Sequence, residues 1–563
     1  MSTILYLNGN IYTMDAARPR AEAMAIDSTS GYILAVGSND EVRRLGRQHS
    51  ELVDLRGRTV LPGFIDAHIH LLSTAYRAHY IDAIACTSED EVEALVRERA
   101  THTPKGRWVL GGQWDKNLWP GGNFPSKASL DAAAPDHPVA LWSKDGHLLW
   151  VNSLALQRAN ITAETAEPAN GAILRDGSGE PTGILQEQEA TELVYNVIDE
   201  SDPQMTRTLV QRILPELQKS GITTIHDIEG MDALHLFQQL RDEGKLGVRV
   251  QMILPRQLLP QLREHWLSPS QSGKPTSSMV GVPLAGTLGM GAGGPTDDLL
   301  RIGGIKIFAD GTLGSQTAAM LEGFEGNPHN LGILALSEQD MNETVSTAAE
   351  MGISIAIHAI GDRAAHVALN SIERAQQHLV DHGGKDRDLS RLRYRLEHVQ
   401  LITPEDLERM HHLSVVASVQ PFHAVADRDI AERYWGKRHR RAYAYRTMQQ
   451  TGIPLALGSD APVETFTPLR ILHAATMRRD DATPQRPPWL PDQALPIAEA
   501  LWGYTMGAAY AGAEEQTKGS LTAGKLGDAV VLRENILGVP QEKMAENGVQ
   551  ATILGGKVVY GEV

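Results

Sequence analysis

Cysteine occurs once in 563 residues, at Cys86, so neither an internal disulfide nor a thiolate metal cluster can be assembled from this chain. A reducing cytoplasm suits such a chain, and a cytoplasmic location is the expectation. Apolar runs long enough to span a bilayer are missing too, so no membrane association is expected. The opening residues Met1 to Asn10 carry no basic n-region and no apolar h-region, so no secretory signal is expected. Positive charge is in deficit, with 52 Lys+Arg against 69 Asp+Glu and a formal charge of −17. That argues against a nucleic-acid partner, which would show a basic patch. The one dense basic run, Lys437 to Arg441, reads as a solvated helix face. No Gly-x-Ser-x-Gly stands in a strand–turn–helix setting, so nothing points to a serine nucleophile.

What is present is a chain long enough for several domains, or for one large α/β barrel with additions. Residues 1–60 read as short strands and turns, and Asn8-Gly9 between Ile4–Leu7 and Ile11–Met14 is a hairpin signal. The C-terminus repeats the pattern in Gly527–Leu532 and Ala551–Tyr560. Short lone sheets are poorly stable, so the two ends are predicted to form one small β-sandwich, residues 1–62 with 510–563.

Residues 63–509 alternate apolar strands with helical stretches, the pattern of a parallel α/β barrel. Strands are predicted at Gly221–His226, Val248–Leu254, Gly304–Asp310, Ile353–His358, Arg393–His398, Ser414–Val419 and Leu455–Asp460. A long stretch rich in Gly, Pro and Trp precedes them, and is predicted to be an inserted subdomain at about 75–190. The Gly/Pro/Ser-rich region around Ser268–Pro295 reads as a mobile loop or a lid.

Leu61-Pro-Gly-Phe-Ile-Asp-Ala-His-Ile-His70 anchors the rest of the chain. Alternate side chains of a strand share a face, so His68 and His70 point the same way and can close on one cation. Lys306, His358, His398 and Asp460 also fall at strand ends, where an α/β barrel places its chemistry. Singly, each has an ordinary reading: a core histidine, an ion pair of His398 with Glu397, a helix cap at Asp460. Jointly they read as a metal site. Lys306, on an apolar strand, would be costly to bury as an unpaired ammonium. It either pairs with a carboxylate such as Asp310 or, as the neutral amine, adds carbon dioxide to become a bridging carbamate.

Three stretches, Leu61–His70, Gly458-Ser-Asp-Ala-Pro-Val463 and Gly519–Leu532, resemble the amidohydrolase superfamily. Gly111-Gly-Gln-Trp-Asp115, Asp145–Ser153 and Gly304–Ser315 narrow the resemblance to amidohydrolase family 3, the YtcJ-like and N-substituted formamide deformylase-like enzymes. The resemblance implies a distorted (β/α)₈ barrel with a β-sandwich and one or two divalent metals per chain, commonly zinc. It implies that His68, His70 and Asp460 hold one metal, and that carbamylated Lys306 bridges to a second held by His358 and His398. A homodimer is the assembly it suggests.

The expected reaction is hydrolysis of a C–N bond, in an amide, formamide or N-acyl small molecule, by a metal-activated hydroxide, with Asp460 as general base and acid. Peptide bonds are not the expected target. Trp114, Asp115 and His147 in the insertion, and Asp310, Gln420, His423 and Glu464 beyond strand ends, are candidate substrate contacts. By resemblance, His147 and His423 hydrogen-bond the carbonyl or oxyanion; each reads equally well as a packed loop residue. Trp114 and Trp119 either line an apolar pocket or anchor the insertion. Two rival readings are a single-metal deaminase of the same barrel and a non-catalytic binding scaffold.

Overall fold

A computed structural model describes residues 3–46, 50–77, 79–198, 203–267, 298–382 and 392–563. The stretch Ser268–Pro295, read above as a loop or lid, lies outside them.

At the centre is a barrel of eight parallel strands: β1 (Phe64–Ile69), β2 (Ile222–Asp227), β3 (Arg249–Pro255), β4 (Leu300–Phe308), β5 (Ile355–Ala359), β6 (Tyr394–His398), β7 (Val416–Val419) and β8 (Leu455–Leu457). They pair in chain order. Ile225, Val250, Met252, Leu254, Ile305, Ile307, Ile355 and Ile357 are buried and share one core with the surrounding helices, among them Pro203–Lys219, Met231–Asp242 and Glu338–Glu350. β8 meets β1 at the carboxyl end: the Asp460 amide donates to His68 O at 2.7 Å, and the His70 amide donates to Ala461 O at 2.9 Å. The result is a distorted TIM barrel whose closing bonds involve three of the residues singled out by sequence.

Both termini build two further sheets. One runs Ile33–Gly37, Ala23–Asp27, Thr3–Leu7, Glu51–Asp54; the other runs Lys557–Gly561, Val549–Leu554, Ala529–Leu532, Thr59–Pro62, Asn10–Tyr12, Arg20–Ala21. Ile4, Met24, Ile26, Val60, Val531 and Ile553 fill the space between them. The hairpin expected at Asn8-Gly9 does not form, because Thr3–Leu7 and Asn10–Tyr12 belong to different sheets. Asn8 (φ +56°) turns the corner, its carbonyl taking the Gly57 amide at 2.6 Å. A side chain at Gly9 would come within 2.5 Å of Leu55 Cδ1. Arg249 on β3 fastens this layer to the barrel through Asp528, at 2.6 and 2.9 Å.

The insertion carries its own six-stranded sheet, ordered Ala172–Arg175, Pro181–Gln186, Leu148–Val151, Val139–Ser143, Val109–Trp114, Ile81–Asp82. Trp114, Trp119, Trp150, Val139 and Leu141 pack its core. The basic run is not a free solvated face: Arg438 donates to the Glu322 and Gly323 carbonyls at 2.6 and 2.5 Å, and Arg441 pairs with Asp362 at 2.9 Å. Among the described residues no helix is long and apolar enough to cross a membrane.

Candidate active site

A cavity of about 620 Å³ opens at the carboxyl end of the barrel, between the strand ends and the inserted sheet. His68, His70, Lys306, His358, His398 and Asp460 all line it. Strand alternation brings Asp66, His68 and the following His70 to one face of β1. Asp66 stays below, accepting the His68 and Ser459 amides at 3.1 and 2.9 Å, so it braces the β1–β8 junction.

Asp460 is the hub. Its Oδ1 lies 3.2 Å from His70 Nε2 and 3.4 Å from His68 Nε2, and its Oδ2 lies 3.5 Å from His423 Nε2 and 3.9 Å from His398 Nδ1. Burial would raise the Asp460 carboxyl, but His68, His70 and His398 outweigh it and hold it well below the usual carboxylate range. Asp460 (φ +57°) and His398 (φ +72°) both sit in the left-handed region, which side chains other than glycine occupy at a cost.

Four of the rings are held by one nitrogen. His68 Nδ1 bonds Glu397 Oε2 at 2.6 Å, His70 Nδ1 bonds Ile228 O at 2.8 Å, His398 Nδ1 bonds Gln420 Oε1 at 2.8 Å, and His358 Nε2 bonds Gly311 O at 3.1 Å. Fixing one nitrogen leaves the other for a ligand and sets the tautomer. The His68 and His398 ring centroids are 4.9 Å apart, those of His358 and His398 4.6 Å. Burial, and then the charge of Lys306, lowers His68 to about 4, and burial also drives His358 and His398 well below their usual range. The imidazoles of His68, His358 and His398 are therefore neutral donors at pH 7.

A divalent cation fits this donor set. His68 Nε2 is buried with no hydrogen-bond partner, and ligand atoms of His68, His398 and Asp460 all lie within 4.8 Å of one another. Imidazole nitrogen and carboxylate oxygen are the ligands of borderline metals. Lys306 is 3% exposed, its Nζ 4.9 Å from the Phe308 ring centroid, and burial lowers it to about 8. Asp310 does not neutralise it. The Asp310 carboxylate turns to the backbone and accepts the Ala319, Ile360 and Gly361 amides at 2.9, 3.0 and 2.8 Å.

The other sequence candidates divide. His147, Asp115, His423 and Glu464 line the cavity, whereas Asp310 and Gln420 stop short of it, one bracing a loop and the other orienting His398. Trp114 also borders the cavity, but its indole is 1% exposed, lies 5.9 Å from both Trp119 and Trp150, and donates to Leu141 O at 2.8 Å. Of the two roles weighed for Trp114 and Trp119, the packing is that of anchors. Asp115 caps the turn that follows it by accepting the Asn117 amide at 2.9 Å. Glu464 pairs with Lys144 at 2.6 Å. His147 Nδ1 bonds Glu187 at 2.8 Å; burial would lower this imidazole, but Glu187 and Asp145 outweigh it and push it up to about 9.

Sequence reasoning missed Arg395, Glu187 and Lys144, and it set Glu397 against His398, whereas Glu397 holds His68 and Gln420 holds His398. Arg395 donates to Glu397 at 2.8 Å, to Ala67 O at 2.7 Å and to Ser418 Oγ at 3.0 Å, making a buried polar floor beneath the histidines. The signal was the alternation Arg395-x-Glu397 on a strand between apolar neighbours Tyr394 and Leu396.

Comparison with known proteins agrees with this geometry. The sequence model of the amidohydrolase family matches residues 51–560. The putative amidohydrolase YtcJ of Bacillus subtilis is 27% identical over 99% of this chain and 99% of its own length. The N-substituted formamide deformylase of Arthrobacter pascens is 28% identical over 100% of this chain and 98% of its own. The crystal structure of an uncharacterized metal-dependent hydrolase from Pyrococcus furiosus superposes with a TM-score of 0.68 at 26% identity, covering 95% of this chain and 99% of that one. With the match running nearly end to end and a buried His/Asp cluster at the barrel mouth, the chain belongs to the amidohydrolase family and is a metal-dependent hydrolase.

Proposed function

We propose that the protein hydrolyses a C–N bond other than a peptide bond, in an amide, formamide or N-acyl small molecule. The observation that carries this reading is the Asp460 carboxylate, set 3.2 to 3.9 Å from His70, His68, His423 and His398 at the floor of a cavity of small-molecule size. His68, His70 and Asp460 would hold one divalent metal, zinc, and Lys306, His358 and His398 a second. When bound, a divalent cation supplies Lewis acidity, lowering the pKa of an attacking water and polarising the scissile carbonyl.

The chain's own residues do the rest. Asp460 takes the proton of the attacking water and returns it to the departing nitrogen. His147, charged by virtue of Glu187, and His423 donate hydrogen bonds to the oxygen that gains negative charge. Lys306, as the neutral amine, attacks carbon dioxide; an N–C bond forms, a proton leaves to solvent, and the anionic carbamate becomes an oxygen ligand. We place the reaction in a reducing cytoplasm, with which the single buried thiol of Cys86 is compatible.

The test is a hydrolysis screen over N-formyl, N-acyl and cyclic amides with metal-loaded enzyme. Release of a carboxylate and an amine supports the reading. Ammonia release from aminated rings, with every amide inert, replaces it with the deaminase.

A further inference from the structure

A second, smaller cleft shares no lining residue with the catalytic cavity. Arg428, Arg478, Arg479 and Arg486 line it, together with Trp489 and a single carboxylate, Asp480. Asp480 does not neutralise them: its Oδ1 accepts Arg470 Nη2 at 3.2 Å and the Ala482 amide at 3.0 Å. Arg486 is taken by Asp429 at 2.7 Å, and Arg428 Nε lies 3.7 Å from Glu432. Arg478 and Arg479 remain. Among the described residues no carboxylate pairs with either, and Arg478 Nη2 and Arg479 Nε are buried with no hydrogen-bond partner.

Arg478 is the more telling of the two. It follows the helix Pro468–Met477 in the left-handed region (φ +52°) and is 1% exposed. Its Nε donates to Trp489 O at 3.1 Å and its Nη1 to Tyr443 O at 3.4 Å, while the Tyr445 and Trp489 ring centroids stand 5.2 and 5.7 Å away. Burial pulls this guanidinium down to about 10, so it is still charged at pH 7. A buried charge without a counter-charge is costly, and the carboxyl end of the preceding helix offsets only part of it. The cleft measures about 20 Å³, room for one particle of water or chloride size and none for a phosphate. A water would satisfy Nη2 without answering the charge; an anion does both.

We propose that this cleft binds one small inorganic anion of chloride size, held by Arg478 and Arg479. The anion then braces the far side of the catalytic wall. Arg478 holds Tyr443 by its carbonyl, and the Tyr443 hydroxyl donates at 2.8 Å to Asp427, which lines the catalytic cavity.

The experiment melts metal-loaded wild type, Arg479→Gln and Arg478→Met in rising chloride, with gluconate replacing it at constant ionic strength. Wild-type Tm should rise saturably by about 2 °C or more. Arg479→Gln should need at least about fivefold more chloride for half the rise, and Arg478→Met should show no rise. Bromide-soaked crystals of wild type should give an anomalous peak at hydrogen-bond distance from Arg478 Nη2. A Tm that ignores chloride overturns the site, and a bromide peak beside it would then be binding at crystal concentration only. An equal rise in all three proteins is a general salt effect and overturns it too, as does a cleft that holds only water in the bromide crystals. Should Arg478→Met fail to fold, the midpoint in Arg479→Gln and the bromide peak decide.

Discussion

Glu397 holds His68 by a 2.6 Å hydrogen bond between two side chains that are both fully buried. Arg395 grips the other Glu397 oxygen at 2.8 Å. Burial would raise this carboxyl, but Arg395 and His68 outweigh it and keep it ionised. A carboxylate behind a ligating imidazole fixes the ring and raises its basicity. Glu397→Gln, which keeps the shape and removes the charge, is expected to weaken metal binding by about 10- to 100-fold. Competition with a chromophoric chelator measures it; affinity equal to wild type would remove Glu397 from the metal site.

Lys306 leads to a second outcome. Lys306→Ala should lose at least about a hundredfold in kcat, and short carboxylic acids should restore part of it by occupying the vacated space. Mass spectrometry of the gently handled wild type should show a labile 44 Da adduct. Failure of every short acid to rescue, with no adduct on the native protein, would leave Lys306 as an ordinary buried amine.

Asp460 is asked to move a proton as well as hold a metal. Asp460→Asn should therefore drop kcat by about a thousandfold or more while retaining much of the bound metal. Near-normal turnover in that variant would take Asp460 out of the mechanism.

How much of this was legible in the chain follows from where alternation holds. His68 and His70 could be read directly because both side chains line the cavity at the end of β1, as alternation predicts. In β6 the same rule would place Glu397 and His398 on opposite faces. His398, at φ +72°, bends the chain so that both serve the site, and no periodicity announces a positive φ. The strand ends were found to within a few residues; β4 stops at Phe308, which leaves Asp310 to organise a loop. Asn8-Gly9 misled because a turn signal does not say whether the next strand stays in the same sheet. Trp114 and Trp119 carried an ambiguity that only packing resolves: both sit in the core of the inserted sheet.

Acid stability offers a test away from the metal. Glu514, 3% exposed, pairs with Lys518 at 2.8 Å and Arg301 at 3.0 Å, tying the C-terminal segment to β4. Burial would raise its carboxyl, but Lys518 and Arg301 bring it down to about 2. A depressed folded-state pKa stabilises the fold fully above the unfolded value, near 4.5, and that share is lost as the pH falls toward 2. Glu514→Gln should cost roughly 2–3 kcal/mol at neutral pH. The gap to wild type, read as Tm, should close between about pH 4.5 and 2. A gap that is constant with pH would assign the loss to packing.

The most direct measurement follows metal content and amide hydrolysis in one preparation as a chelator removes the metal and zinc is titrated back. The account predicts one to two metals per chain, activity that falls with the metal and returns with it, and a His68→Ala, His398→Ala double variant that neither binds zinc nor turns over. Full hydrolysis by metal-free enzyme, or zinc held as tightly by the double variant, would contradict it.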